Sequence, residues 1–390
     1  MKRVLAVVAF ASFVSSMFIR MADPLVPQIA ADFAVEPRTA ALVGTAFALP
    51  WALMQPILGP IGDLIGKTRV ILTCMFVLLV GAVVGTLATN FPTLIVSRLI
   101  AGAAAGGVFP VSMAVHGDLV PIESRQVSMG RLLMASMSGT LVGGALAGLL
   151  ADFIPWRGIF AIYGACVAVA FLGCAFALRR VALAPPRRVH VAAIVAQYRQ
   201  VWSNPRSVIC YGAVFTEGIA MIGLFPFVAV LLVSIGEERA SIAGLVLSAF
   251  PLGGVVYSIM VGQLVSRFST PTLMVGGGLL AALGLLVEAT VPPWPVQLLV
   301  FLVIGVGFYT LHACILVYMT ELAPEARGTA VAGHALSYFS GQALGPVIYG
   351  LGFAAIGASA TIVLAALAIA LVGLVTPWLL ERRGAPPVRR

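Results

Sequence analysis

Few residues of this 390-residue chain can do chemistry, since 61% are hydrophobic and only 9% are charged. Those that can are spread thinly through apolar runs. Arg20 and Asp23 stand three apart, a spacing that puts them on one helical face. There they can bind a charged ligand group, relay protons, or form an ion pair at the rim of a span. Arg98 lies about five residues into another run, where a guanidinium is costly unless paired or hydrated, or unless it snorkels to the surface. Glu217 lies about eleven residues into a third run with no charge beside it in sequence. It can carry a proton there or make a neutral hydrogen bond to a neighbouring helix. His312 and His334 are able to titrate near neutrality or to pack as hydrogen-bonded rings. His116 and Asp118 fall near the end of the run that holds Arg98, in the position of rim residues.

Other chemistries find no support. The four His are scattered without ligand spacing, so no metal site is expected. No H-E-x-x-H or nucleophile–base pattern occurs, which argues against an intramembrane enzyme and leaves a non-transporting scaffold as the remaining reading of another class. Gly62 to Thr68 ends in Gly-Lys-Thr but lacks the glycine spacing and the preceding strand of a phosphate loop. Neither ATP nor any other cofactor is expected, and a proton gradient is the energy source to look for. The five Cys all lie in apolar runs and read as small packing residues.

The elements that must position these residues are membrane helices. A span needs about 20 apolar residues. Runs of that order fall at 4–24, 39–62, 70–89, 93–120, 127–152, 157–178, 207–233, 241–264, 272–290, 295–319, 328–350 and 357–380. Mean hydropathy is +1.08. A soluble domain, a disordered chain and a coiled coil are excluded by this pattern. In hydrocarbon the backbone must satisfy itself, so each run is expected to be helical; a barrel would need alternating runs of about ten residues. Met1-Lys2-Arg3 before an apolar run resembles a signal peptide, but no A-x-A site follows, and a retained first helix is expected.

Charge sets the orientation. With the N-terminus placed inside, only Arg38, Arg157 and Arg239 of the 23 Lys and Arg fall in outside loops, while Arg20, Arg98 and Arg131 lie within runs. The positive-inside rule therefore puts both termini in the cytoplasm. The net charge of +9 belongs to this inner rim, against anionic headgroups, and implies no nucleic acid. The longest break holds Pro185-Pro186 and several Arg, and residues 191–202 within it suit either an amphipathic surface helix or a solvated linker. The expected organisation is a six-helix bundle over 1–178, a basic cytoplasmic linker over 179–206, a second six-helix bundle over 207–380 and a tail over 381–390. An internal repeat supports it. At an offset of 202–203, Gly59, Gly102, Pro121, Arg125, Gly139, Gly143 and Gly148 coincide with Gly262, Gly305, Pro324, Arg327, Gly341, Gly345 and Gly350.

Several motifs carry a family resemblance. Gly59-Pro-Ile-Gly-Asp63-Leu-Ile-Gly66-Lys67-Thr-Arg69 resembles the cytoplasmic loop G-x-x-x-D-R-x-G-R-K of the major facilitator superfamily, with Leu64 in place of the first Arg and Lys67 in place of the second. Arg98-Leu-Ile-Ala-Gly102 resembles the family's R-x-x-x-G motif, and Gly139 to Gly148 its G-x-x-x-G-P-x-x-G-G antiporter motif, with Gly144 at the Pro position. Gly345-Pro346 keeps the Gly-Pro pair in the eleventh run, and Trp156-Arg157-Gly158-Ile159-Phe160 resembles the W-R-x-x-F turn of drug-efflux-like members.

The resemblance implies an all-α membrane protein of 12 transmembrane helices in two pseudo-symmetric six-helix bundles. It implies a secondary transporter working by alternating access, with proton-coupled efflux of small organic molecules the leading reading and proton-coupled uptake of a metabolite the alternative. Gly59, Asp63, Gly66, Lys67 and Arg69 would form a cytoplasmic gate. Arg20, Asp23, Arg98, Glu217 and His312 would serve proton coupling or line the substrate cavity, since the family's first, fourth, seventh and tenth helices face it. Gly139, Gly143, Gly148, Gly345 and Pro346 would form close-packed, rocking helix contacts, although packing alone explains small faces equally well. The bilayer, protons and a small-molecule substrate are the expected partners and a monomer the expected state. With only Lys2 and Lys67 against 21 Arg, a GC-rich bacterial origin and a bacterial inner membrane are expected.

Orientation is open to direct test. A single cysteine placed at Arg187 should react with an impermeant maleimide in inside-out vesicles and not in intact cells; reaction in intact cells would reverse the topology.

Overall fold

The computed structural model describes residues 2–179 and 191–383. By internal contacts the chain divides into two compact units, Met1–Val189 and His190–Arg390. The first unit runs α1 (Lys2–Met17), a 3-10 turn Asp23–Leu25, α2 (Val26–Asp32), α3 (Pro37–Ala40), α4 (Leu42–Ile65), α5 (Lys67–Thr86), α6 (Phe91–Leu119), α7 (Ile122–Ala151) and α8 (Trp156–Leu178). The second runs α9 (Val191–Ser203), α10 (Arg206–Glu217), a π-helical turn Gly218–Ile222, α11 (Phe225–Ser234), α12 (Ala240–Arg267), α13 (Thr270–Glu288), α14 (Trp294–Thr320), α15 (Arg327–Ile356) and α16 (Ala358–Arg382). The described residues hold no strand.

Eleven helical stretches among the described residues are long and apolar enough to cross a membrane. The first expected run, 4–24, differs: it is helical only to Met17 and then turns. Pro24 and Pro27 explain the break, because proline supplies no N–H and clashes with the preceding turn. The seventh run gives way in the same manner, with α10 ending at Glu217 and α11 restarting just before Pro226. Pro24 and Pro226 are separated by the repeat offset, so both units break their first span at one place. Outward-facing side chains such as Ile259, Phe153 and Leu87 are 77%, 80% and 70% exposed, a surface suited to lipid and unsuited to water. The chain is a multi-pass membrane protein.

Glycine sets the closest helix crossings. A Cβ on Gly102 would run into the Phe47 carbonyl, and one on Gly305 into the Phe250 carbonyl. Gly139 lies in the same way on the carbonyl of Phe13, and Gly341 on that of Phe215. Gly143 lies on the Met17 carbonyl, and its counterpart Gly345 would meet the Gly223 Cα at 2.5 Å and the Ile219 carbonyl oxygen at 3.0 Å. The sequence repeat is therefore a repeat of helix contacts, because both partners of each crossing share the offset.

Helix α9 packs on the second unit. Val201 is fully buried, Asn204 Nδ2 donates to Leu322 O at 2.9 Å, and Thr329 Oγ1 donates to Gln197 Oε1 at 2.8 Å. The basic residues Arg180, Arg187 and Arg188 of the connector, and the tail from residue 384, lie outside the described residues.

These contacts separate two kinds of glycine. Gly139→Ala and Gly341→Ala should each lower stability by about 1–3 kcal/mol, the range for overpacking. Gly276→Ala, with nothing within 4 Å of the added methyl, should leave it unchanged. Thermal unfolding in detergent, followed by a fluorescent thiol probe, reads both.

Candidate functional site

Breaking a span exposes backbone carbonyls where no water can reach them, and buried polar groups must then find other partners. In the first unit the partner is Arg98. Its Nη2 donates to Phe18 O at 2.9 Å, within the turn that follows α1, and its Nε donates to Val43 O at 3.3 Å, at the start of α4. The guanidinium stacks 4.3 Å from the Phe47 ring centroid, and Arg98 is 1% exposed. Arg98 thus does not snorkel to a surface; it ties together the broken first span and α4. Beside it, in the 3-10 turn, Asp23 is 1% exposed and pairs with Arg20 Nη1 at 3.2 Å. A carboxylate so enclosed is no rim residue, and it lies within the electrostatic field of Arg98 as well as that of Arg20.

In the second unit, Glu217 closes α10 immediately before the π-helical turn and is fully buried. It is not isolated. Its Oε2 lies 2.7 Å from His312 Nδ1, contributed by α14, while no hydrogen-bond partner among the described residues reaches Oε1. The His312 ring stacks on Phe308 at 4.9 Å and meets the edges of His334 at 4.7 Å and Tyr338 at 5.0 Å. His334, from α15, is buried, and its Nε2 has no hydrogen-bond partner among the described residues. The side chain of His312 is 18% exposed and that of Glu217 not at all, so His312 is the accessible member of the pair.

The gate motif sits at the junction of α4 and α5. Gly66 has φ +101°, a left-handed conformation that suits glycine and permits the tight turn. Lys67 Nζ makes a 2.6 Å ion pair with Asp118 near the end of α6. Asp118 is therefore a partner of the motif and not merely a rim charge, and His116 beside it is buried, with Nδ1 2.9 Å from Ser112 O. Gly59 makes only ordinary contact with Pro110, at 3.7 Å, and Arg69 is exposed. The side chain of Asp63 lies outside the described part of the structure. Of the remaining predicted positions, Gly148 and Pro346 are buried in their helices.

Sequence reasoning did not join Glu217 to His312 or Lys67 to Asp118, and it overlooked Asp32. That residue, in α2, accepts from Trp156 Nε1 at 3.1 Å and pairs with Arg157, whose Nη2 also donates to Ala88 O at 2.8 Å. The Trp-Arg turn thus pins α2 and the end of α5 to the start of α8. The available signal was the coincidence of a lone Asp and an Arg in two loops assigned to one side.

The duplicated helical units, with polar clusters at two matching breaks, define a polytopic membrane protein built from a repeat. The chain matches the Major Facilitator Superfamily over residues 8–346 and 239–390, and it belongs to that superfamily. Among its relatives, the uncharacterized MFS-type transporter YfhI of Bacillus subtilis (strain 168) is 28% identical over 274 residues, covering 67% of this chain and 64% of its own length. The uncharacterized MFS-type transporter Rv1877 of Mycobacterium tuberculosis (strain ATCC 25618 / H37Rv) is 24% identical over 363 residues, 78% of this chain and 53% of its own. The chain thus spans less than two thirds of the length of these curated relatives. In structure it is similar to a POT family transporter in complex with 5-aminolevulinic acid, with a TM-score of 0.78, 14% identity and coverage of 98% and 96%. It is similar also to a D-xylose-proton symporter, with a TM-score of 0.72, 15% identity and coverage of 99% and 98%. At such identities the likeness is one of fold.

The role of Arg98 as a carbonyl partner can be checked by substitution. Lysine keeps the charge but cannot reach two carbonyls in a fixed fork. Arg98→Lys should cost about 1–3 kcal/mol, the penalty for leaving a buried acceptor unmet. Denaturation in detergent that showed no loss would remove the structural role.

Proposed function

We propose that the protein is a secondary transporter that works by alternating access and couples export of a small organic molecule to proton movement. The observation that carries this reading is the Glu217–His312 pair. A carboxyl and an imidazole in hydrogen-bond contact can pass a proton between them. The His312 side chain is 18% exposed and that of Glu217 is enclosed, so the ring is the member a proton reaches first and can pass it to the carboxyl. Tyr338, half-buried beside the ring, offers a flat face to an amphipathic molecule, and the buried Phe308 backs the ring from behind.

Superfamily membership and the two relatives named above, both MFS-type transporters, support transport itself. Export rests on the Trp156-Arg157 turn and the glycine-rich α7 of the fifth run, which resemble those of efflux-like members. Arg20, Asp23 and Arg98 are assigned to the same coupling system in the first unit, and Gly59, Asp63, Gly66, Lys67 and Arg69 to the cytoplasmic gate. The glycines of α7 and Gly345-Pro346 of α15 are assigned to the moving contacts. A bacterial inner membrane and a monomeric state complete the reading.

A growth and accumulation screen with a compound panel, in cells with and without the protein, tests it. Expressing cells should retain less of at least one compound, and dissipating the proton gradient should abolish the difference. Glu217→Gln should return accumulation to the level of cells without the protein while keeping full expression. Undiminished, gradient-dependent export by that variant would remove Glu217 from the coupling.

A further inference from the structure

The second unit holds another carboxyl that the reading above does not use. Glu288 is the last residue of α13 and is 0% exposed. Neither of its oxygens has a hydrogen-bond partner among the described residues. Gln297, in the first turn of α14, is also 0% exposed; its Nε2 donates to Pro292 O at 2.9 Å, and its Oε1 has no partner. The antiparallel register of the two helices brings these residues level. Gly277 lies against Gly307 and Gly284 against Ile304, which carries position 288 to the height of Gln297. Three enclosed oxygens therefore face a shortage of donors.

An ionised carboxylate in such a place would hold a full charge that nothing compensates, a cost of several kcal/mol. No charged side chain occurs in α14 before His312, in α16 before Glu381, or in α12 before Arg267, the spans packed against α13. The loop charges Glu237 and Arg239 pair with each other. The field of Glu288 reaches Tyr349 of α15. A protonated carboxyl has one O–H to give, and Gln297 Oε1 is an acceptor without a donor.

Tyr349 gives this site a connection. It is 1% exposed, and its hydroxyl donates to Ala220 O at 2.5 Å. Ala220 belongs to the π-helical turn that begins one residue after Glu217. The tyrosine thus caps a carbonyl of the broken seventh span, as Arg98 caps one of the first, and it does so within the electrostatic field of Glu288.

We propose that Glu288 is a second proton-carrying carboxyl of the carboxy-terminal unit, coupled through Tyr349 to the break in the seventh span and so to Glu217. The coupling rests on the proton-carrying role of Glu217; the loading of Glu288 does not. Proton arrival converts its carboxylate to the neutral acid and removes a negative charge from the field of Tyr349. The hydrogen bond that holds the π-helical turn then responds, and the turn carries the response to the neighbouring carboxyl.

Infrared difference spectroscopy of the purified full chain over a pH series tests this with protons as the only probe. Two carbonyl-stretch bands of enclosed carboxylic acids should appear and titrate, one lost in Glu217→Gln and the other in Glu288→Gln. Should Glu288→Gln fold poorly, Glu288→Asp keeps the acid, and its band should shift in frequency and still titrate. A spectrum unchanged by the Glu288 variants, a Glu288 band that never responds to pH, or one that responds to sodium at fixed pH would each overturn the proposal. Coupling is read from the midpoint of the Glu217 band, which should move in Glu288→Gln but not when that change is made on Tyr349→Phe; equal movement in both backgrounds would refute the tyrosine route. If the Glu288 band titrates and no Glu217 band exists, the coupled-transport reading fails and the loading site stands. The reverse result sinks the loading site alone.

Discussion

A carbonyl oxygen left without its helical donor inside hydrocarbon has no water to turn to, and this constraint governs both halves of the protein. Proline interrupts the first span of each unit at matching positions. Each interruption frees backbone acceptors at depth, and each is met by a long polar side chain from another helix. Arg98 reaches the turn after α1, and Tyr349 reaches the π-helical turn after α10. The titratable groups of greatest interest, Asp23 and Glu217, stand at these interruptions. Irregular backbone and charge thus occur together because each supplies what the other lacks: dipoles to meet a charge, and donors to meet a carbonyl.

The glycine crossings serve the same arrangement. Gly139 and Gly143 bring α7 against the last two turns of α1, and Gly341 and Gly345 bring α15 against α10 and the turn beyond it. Close contact holds a helix end in place even though its own hydrogen-bond ladder has stopped. The two partners of each crossing are carried by the repeat, which explains why small residues recur in register while the chemistry does not. Arg98 aligns with Phe301 at the repeat offset, and Asp23 aligns with Phe225. The frame is duplicated, but the polar groups within it have diverged, so that one unit presents an arginine-centred cluster and the other an acid–imidazole cluster.

What could be read before the fold was in hand follows from this division. Apolar length declares a membrane helix regardless of its neighbours, so the spans, the repeat and the superfamily were legible. Glu217 and His312 were each conspicuous as polar residues at depth. Their contact was not legible, because they are 95 residues apart and no local period links two helices. The same holds for Lys67 with Asp118, and for Asp32 with the Trp156-Arg157 turn. His334 drew little weight and Glu288 none, because burial without a hydrogen-bond partner among the described residues is something no sequence pattern reports.

Composition and spacing alone determined that this chain lies in a bilayer as helices, that it is a duplication, and where its few ionisable groups fall along each helix. Those properties depend on the solvent that each segment must satisfy, and a segment carries that information within itself. Tertiary structure alone decided which groups meet: that Arg98 binds carbonyls in place of seeking the surface, that Glu217 has an imidazole for company, and that Glu288 has no hydrogen-bond partner among the described residues. Rotation and depth of one helix against another choose those partners, and they arise only when the bundle packs.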